Sequence, residues 1–231
     1  MKKRALMILL CIALLLSVAS CATERFDELY SETVGELTFF VRGSGTRPKQ
    51  IVVKQGEEIV WAKRVKISKD IGTRGGNYGF TATDLNFDGA IDLMIADEIS
   101  GDCVSYLCYL WDAEKSTFQY SEALSDLYNV KPDAEKKTLL GFTHISEKIS
   151  KQEVVITDTA TMYLWKDGVL TPDRRISLTY YSETDAYCLS AKIYNPETSA
   201  FDLDIENIPD KWFLNEEDLK NYDLSQLYYF R

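Results

Sequence analysis

Histidine is almost missing from this chain of 231 residues: His144 is the only one. One imidazole cannot build a multi-histidine zinc centre. No Gly-x-Ser-x-Gly run is present, which excludes the nucleophile elbow of an α/β-hydrolase. The glycine-rich stretch 72–79 is followed by no Gly-Lys-Ser/Thr and opens no helix, so it does not read as a phosphate cradle. Positive charge is also short, with 26 Lys and Arg against 36 Asp and Glu and a net charge of −10. Such a chain has no phosphate-neutralising surface and does not bind nucleic acid by counterion release. Its acidity favours cations, basic partners and solubility instead. Hydrophobic residues make up 45% of the sequence, enough to bury a core.

The apolar run Ala5 to Leu16 follows the basic Lys2-Lys3-Arg4 and is too short for the roughly twenty residues of a membrane-spanning helix. It reads as the core of a signal peptide spanning 1–20. The run ends in Val18-Ala19-Ser20-Cys21, which resembles the lipobox of bacterial lipoproteins. The resemblance implies cleavage before Cys21 and a diacylglycerol on its sulfur, with 21–31 as a lipidated polar tether and 32–231 as the folded domain. Ala22 rather than Asp follows the cysteine, so nothing argues for inner-membrane retention. The expected location is a bacterial membrane, either the outer membrane facing the periplasm or the cell surface. Cys103, Cys108 and Cys188 remain in the domain. On one continuous strand Cys103 and Cys108 face opposite sides about 16 Å apart, too far to bridge. A pair with Cys188 and buried thiols both stay open.

The most informative stretch is Asp84-Leu85-Asn86-Phe87-Asp88-Gly89-Ala90-Ile91-Asp92. Calcium is a hard cation that takes six to eight oxygen ligands. Alternate residues of a tight loop bring the side-chain oxygens of Asp84, Asn86 and Asp88 to one centre. Gly89 permits the turn, Ala90 offers its carbonyl, and Asp92 closes the far side. A helical calcium hand would need Glu at the twelfth position, but Ile95 stands there. The flanks 78–83 and 91–95 read as strands, making a strand–loop–strand calcium site at 84–92. The bland alternative is an acidic hairpin whose Asp and Asn residues only cap turns.

Elsewhere the pattern is mainly β. Strands are expected at 36–41, 104–111, 136–142, 153–157 and 161–165, with a break at Gly43-Ser44-Gly45. A hairpin is expected over 50–62, turning at Gln55-Gly56-Glu57, and a tight turn at Asp167-Gly168. Ser121 can cap a helical turn at 122–128, and Asn215 a helix near the end. Trp111-Asp112-x-x-x-Ser116-x-Phe118 matches Tyr194-Asn195-x-x-x-Ser199-x-Phe201, a recurring hairpin type. No linker divides the chain, although Tyr30 to Lys69 has the makings of a separate small sheet. The expected fold is antiparallel sheets, propeller-blade-like or a small barrel, with one or two short helices.

The calcium loop resembles the FG-GAP-type repeats of integrin-like β-propellers. Its order with Tyr109-Leu110-Trp111-Asp112, Lys136-Lys137-Thr138-Leu139 and Tyr163-Leu164-Trp165-Lys166-Asp167-Gly168 is more specific. It is similar to bacterial envelope lipoproteins related to the calcium-binding immunity proteins that inhibit lysozyme-like effectors of type IV secretion systems. The resemblance covers roughly residues 80–170 and implies Ca2+ at Asp84, Asn86, Asp88, Ala90 and Asp92. The inhibitory loop of those proteins has no match here. A full propeller needs at least four blades, and only one such loop exists.

The expected function is a lipid-anchored, calcium-stabilised, non-enzymatic binding module, with a peptidoglycan hydrolase as the partner to be inhibited. A plug for its cleft would come from 43–49, with Arg42, Arg47 and Lys49, or from 73–77; both also read as solvated loops. Two alternatives are carbohydrate binding on Trp61, Trp111, Trp165 and Trp212, and a carboxylate-dependent hydrolase. Pairs such as Asp97 and Glu98 are too common in an acidic chain to single one out, though either residue could complete the calcium shell.

Overall fold

A computed structural model describes residues 26–67, 71, 77–151, 153–203 and 211–213. The signal peptide, Cys21, the loop 72–76 and the expected helix at Asn215 lie outside the described residues. Three antiparallel sheets are formed, each from consecutive strands. Sheet A holds β1 (Asp27–Val34), β2 (Leu37–Ser44), β3 (Arg47–Gln55) and β4 (Glu58–Arg64). Sheet B holds β5 (Thr81–Thr83), β6 (Asp92–Ser100), β7 (Cys103–Asp112) and β8 (Thr117–Tyr120). Sheet C runs through β9 (Lys131–Asp133), β10 (Thr138–Lys148), β11 (Val154–Lys166), β12 (Val169–Tyr181), β13 (Ala186–Asn195) and β14 (Ala200–Leu203), with β15 (Lys211–Phe213) also on β13. Each sheet is an open meander, so the barrel alternative does not hold, while the blade-like antiparallel reading does.

Sheet B is the middle layer, and the two-residue period of its strands explains how. Leu93, Ile95 and Tyr109 point towards sheet A, where they meet Phe39, Val41, Ile51 and Val53, with Phe80 and Phe118 of their own layer in the same cluster. Met94 and Cys108 point the other way, against Leu85, Leu124, Val130 and Leu139. Residues 92–96 of β6 are therefore all buried. A strand covered on both faces reads as a continuous apolar run rather than an alternation. A smaller cluster of Ile176, Leu189, Ala191 and Phe213 serves the far part of sheet C.

The turns follow the local chemistry. Asp167 and Gly168 both take positive φ, 52° and 76°, as a two-residue hairpin turn matched to strand twist demands. The matched hairpins are structural equivalents. Trp111 and Phe118 pair across β7–β8 with edge-on rings 4.9 Å apart, and Tyr194 and Phe201 across β13–β14 at 5.4 Å. Ser116 and Ser199 close the two turns at φ 49° and 52°. Helix α1 (Glu122–Ser125) begins at Ser121, whose hydroxyl accepts the Leu124 N–H at 3.4 Å.

Three expectations change. The tether enters the fold early: residues 27–31 form the first half of β1. The polar stretch 158–160 does not separate two strands, because β11 runs unbroken from Val154 to Lys166. Gly43 does not end β2; the strand absorbs it as a bulge between Arg42 and Gly43. A Cβ at Gly43 would stand 1.9 Å from the Arg47 carbonyl oxygen. Gly43→Ala is expected to lower stability by roughly 1–3 kcal/mol, since backbone must move to admit the methyl. Urea unfolding measures this, and an unchanged midpoint would show that the bulge yields freely.

Candidate metal centre

The loop between β5 and β6 is closed by its own side chains. The Asp84 carboxylate accepts the Asp88 N–H at 3.2 Å through one oxygen and the Gly89 N–H at 2.8 Å through the other. Asn86 Oδ1 accepts the Asp88 N–H at 3.1 Å, and Asp88 Oδ1 accepts the Ala90 N–H at 2.7 Å. The Asn86 amide donates to Asp88 Oδ2 at 2.8 Å. Phe87 at φ 61° and Gly89 at φ 92° let the backbone reverse this tightly. Side-chain oxygens that cap their own backbone are what Asp and Asn favour in turns.

Asp92 plays a different part from its neighbours. It is fully buried, and its carboxylate accepts the Leu85 N–H and the Trp111 N–H, each at 2.8 Å. It thereby ties the loop to β7. The Trp165 indole N–H donates to the Leu85 carbonyl at 2.9 Å and ties the same loop to sheet C. Burial, reinforced by the nearby charges of Asp88 and Asp84, raises the Asp92 pKa from 3.8 to about 6, although its two backbone bonds pull the other way. No basic side chain among the described residues forms an ion pair with Asp84, Asp88 or Asp92.

The structure thus places Asp84, Asn86, Asp88 and Ala90 in one loop and Asp92 at its foot, as the first residue of β6. The donor set of carboxylates, an amide oxygen and a peptide carbonyl suits a hard cation. Among the described residues no three Asp, Glu, His or Cys side chains are gathered as a preformed cage. That is the expected state of a loop whose oxygens are engaged with its own N–H groups. Asp97 and Glu98 lie five and six residues beyond Asp92 on β6, roughly 16 Å or more away along a strand. They do not complete the shell.

The other candidates are placed elsewhere. His144 is exposed, with Nδ1 2.7 Å from Asp158 Oδ1. Trp61 and Trp111 pack edge-on against Phe118, and Trp165 sits against the second core cluster, so these rings do not form a flat sugar platform. Arg47 and Lys49 belong to β3, and Arg42 lies over the Phe40 ring at 5.4 Å. The stretch 43–49 is a tight hairpin and not a protruding loop. No disulfide joins the three described cysteines, and burial raises the Cys108 thiol to about 12.

The roles of Trp111 and Trp165 at this loop could not be read from sequence. Their bonds to Asp92 and Leu85 cross 19 and 80 residues and carry no local signal.

No protein-family model matches the chain. No curated protein matches it in sequence either. A solved structure described as a Xanthomonas type IV secretion system related protein shares the fold, with a TM-score of 0.50 and 15% identity. The match covers 78% of this chain and 96% of the other. Among the described residues no helix is long and apolar enough to cross a membrane.

Proposed function

We propose that this chain is a lipid-anchored calcium-binding protein of the bacterial cell envelope, a non-enzymatic binding module that inhibits a peptidoglycan hydrolase. The observation that carries the reading is the 84–92 turn. It holds the carboxylates of Asp84 and Asp88, the Asn86 amide oxygen and the Ala90 carbonyl within one loop, with Asp92 buried at its foot and no described basic partner. Calcium bound there would neutralise carboxylates that otherwise repel one another and would hold the turn closed. Extracytoplasmic calcium is often plentiful, so weak affinity suffices for a structural role. The lipobox-like Val18-Ala19-Ser20-Cys21 supports the anchor. The shared fold with a type IV secretion system related protein supports a place among secretion-associated envelope proteins.

The test is digestion of purified peptidoglycan by lysozyme-like hydrolases, followed by turbidity, with the protein added in calcium or in chelator. Inhibition in calcium that is lost in chelator and in Asp88→Ala is the expected result. Unimpeded digestion across a panel of such enzymes would reject the inhibitor role. Calcium binding itself is measured separately, by calorimetry.

A further inference from the structure

The strand pairings bring four connections to one end of the sandwich between sheets A and B. Val34 pairs with Leu37 and Gln55 with Glu58, which places the β1–β2 and β3–β4 turns together on sheet A. Thr83 pairs with Asp92 and Asp112 with Thr117, which places the 84–92 loop and the β7–β8 turn together on sheet B. Between them lies an open groove of about 330 Å³, lined by Val34, Leu37, Val60, Ile91 and Trp111, with Glu36 and Gln55 at its rim. The apolar residues are the uncovered margin of the first core cluster. Glu36 is the only charged residue in the lining among the described residues. Its carboxylate accepts a bond from the neutral Gln55 amide at 2.8 Å, and no basic side chain among the described residues forms an ion pair with it. Glu57 and Glu114 stand on the adjoining turns, and Lys115 of the same end is bound to Asp112 at 2.6 Å.

We infer that this groove receives an arginine side chain of a partner polypeptide. The aliphatic stem packs on Val34, Leu37, Val60 and Ile91, and the guanidinium meets Glu36 and the Trp111 ring. An apolar trough with one anion and one indole suits this side chain. Arginine covers apolar surface with its stem, pairs with carboxylates through a planar fork and stacks on aromatic rings, whereas the lysine ammonium does not stack. A second copy of this chain is a poor occupant, because like acidic ends repel. The inference deepens the binding-module reading and rests on it only in taking the partner to be a polypeptide.

The experiment is a titration of the protein with acetyl-arginine amide, followed by NMR of the tryptophan indole N–H signals. The Trp111 signal is identified through Trp111→Phe. Acetyl-citrulline amide, uncharged and of the same shape, and acetyl-leucine amide serve as controls. The expected result is a saturable shift centred on Trp111 for the arginine probe, weakened about three- to fivefold in Glu36→Gln and by citrulline. Equal binding of citrulline or leucine overturns the proposal, as does no shift up to about 50 mM probe. Light scattering that shows a concentration-dependent dimer with the Trp111 signal perturbed overturns it in favour of a second copy. Because the probe needs no hydrolase, failure here is separate from failure of the inhibitor reading.

Discussion

Calcium is expected to raise the thermal midpoint of this protein by roughly 5–10 °C at one hundred times its dissociation constant, and Asp88→Ala to abolish the rise. Binding at that excess adds about 2.7 kcal/mol. In a domain of this size each kcal/mol moves the midpoint by about 2–4 °C. Asp88 is the residue to change because it is exposed. The only described bonds of its carboxylate, to the Ala90 N–H and the Asn86 amide, stay within the loop. Removing it therefore costs the calcium-free protein little, on the order of 1 kcal/mol. The ion loses a central ligand. Thermal scans with calcium and with chelator, on both proteins, make the measurement. If chelator leaves the wild-type midpoint unmoved, the loop is a self-capped turn and no more.

Asp92→Ala is expected to act differently, lowering stability by about 2–5 kcal/mol with calcium or without it. The substitution strands two buried donors, the Leu85 and Trp111 N–H groups, and opens the join between the loop and β7. Denaturant unfolding in chelator measures it. A loss seen only in calcium would make Asp92 a ligand and nothing else. Asp92 also sets a pH dependence. Its folded pKa of about 6 lies above the ordinary 3.8, so the calcium-free folded state takes up the proton more readily than the unfolded chain. The stabilising contribution is fully present below about pH 4 and is lost as pH rises through 6; it amounts to at most about 3 kcal/mol. This runs opposite to the usual acid loss of stability. It is read as the difference in pH profile between wild type and Asp92→Ala, and parallel profiles would remove it.

Much of this was legible in the sequence because it is local. The 84–92 spacing, the hairpin over 50–62, the Asp167-Gly168 turn and the Ser121 cap each depend on residues within one turn of one another. The matched hairpins at 111–118 and 194–201 were visible for the same reason. What failed was the reading of polarity as a break. Thr157, Thr159 and Thr161 share one face of β11, where the Thr157 and Thr159 hydroxyls bond to Thr179 and Ser177 across the strand pair. Threonine is a good strand former, so a polar run can be uninterrupted strand. The stretch 27–31 misled in the same way, since an edge strand is commonly charged. Asp92 looked like a fifth ligand position. Its anchoring role depends on β7 being brought alongside, and periodicity does not report such tertiary pairings.

The order of strands within the sheets has a consequence for how the chain comes together over time. Every sheet is a contiguous stretch, and within each meander pairing joins neighbours in sequence, apart from the late return of β15 to β13. Contacts between near neighbours form quickly, because little loop entropy opposes them. A chain delivered from its N-terminus can thus complete sheet A while sheet C is still being delivered. The apolar face of sheet A then waits only for β5–β8, the next stretch to arrive. This strand order permits assembly in the order in which the chain is delivered, and β6 then stands uncovered on its second face until β10 and β11 arrive. That interval is when a holding chaperone would be of most use to this chain.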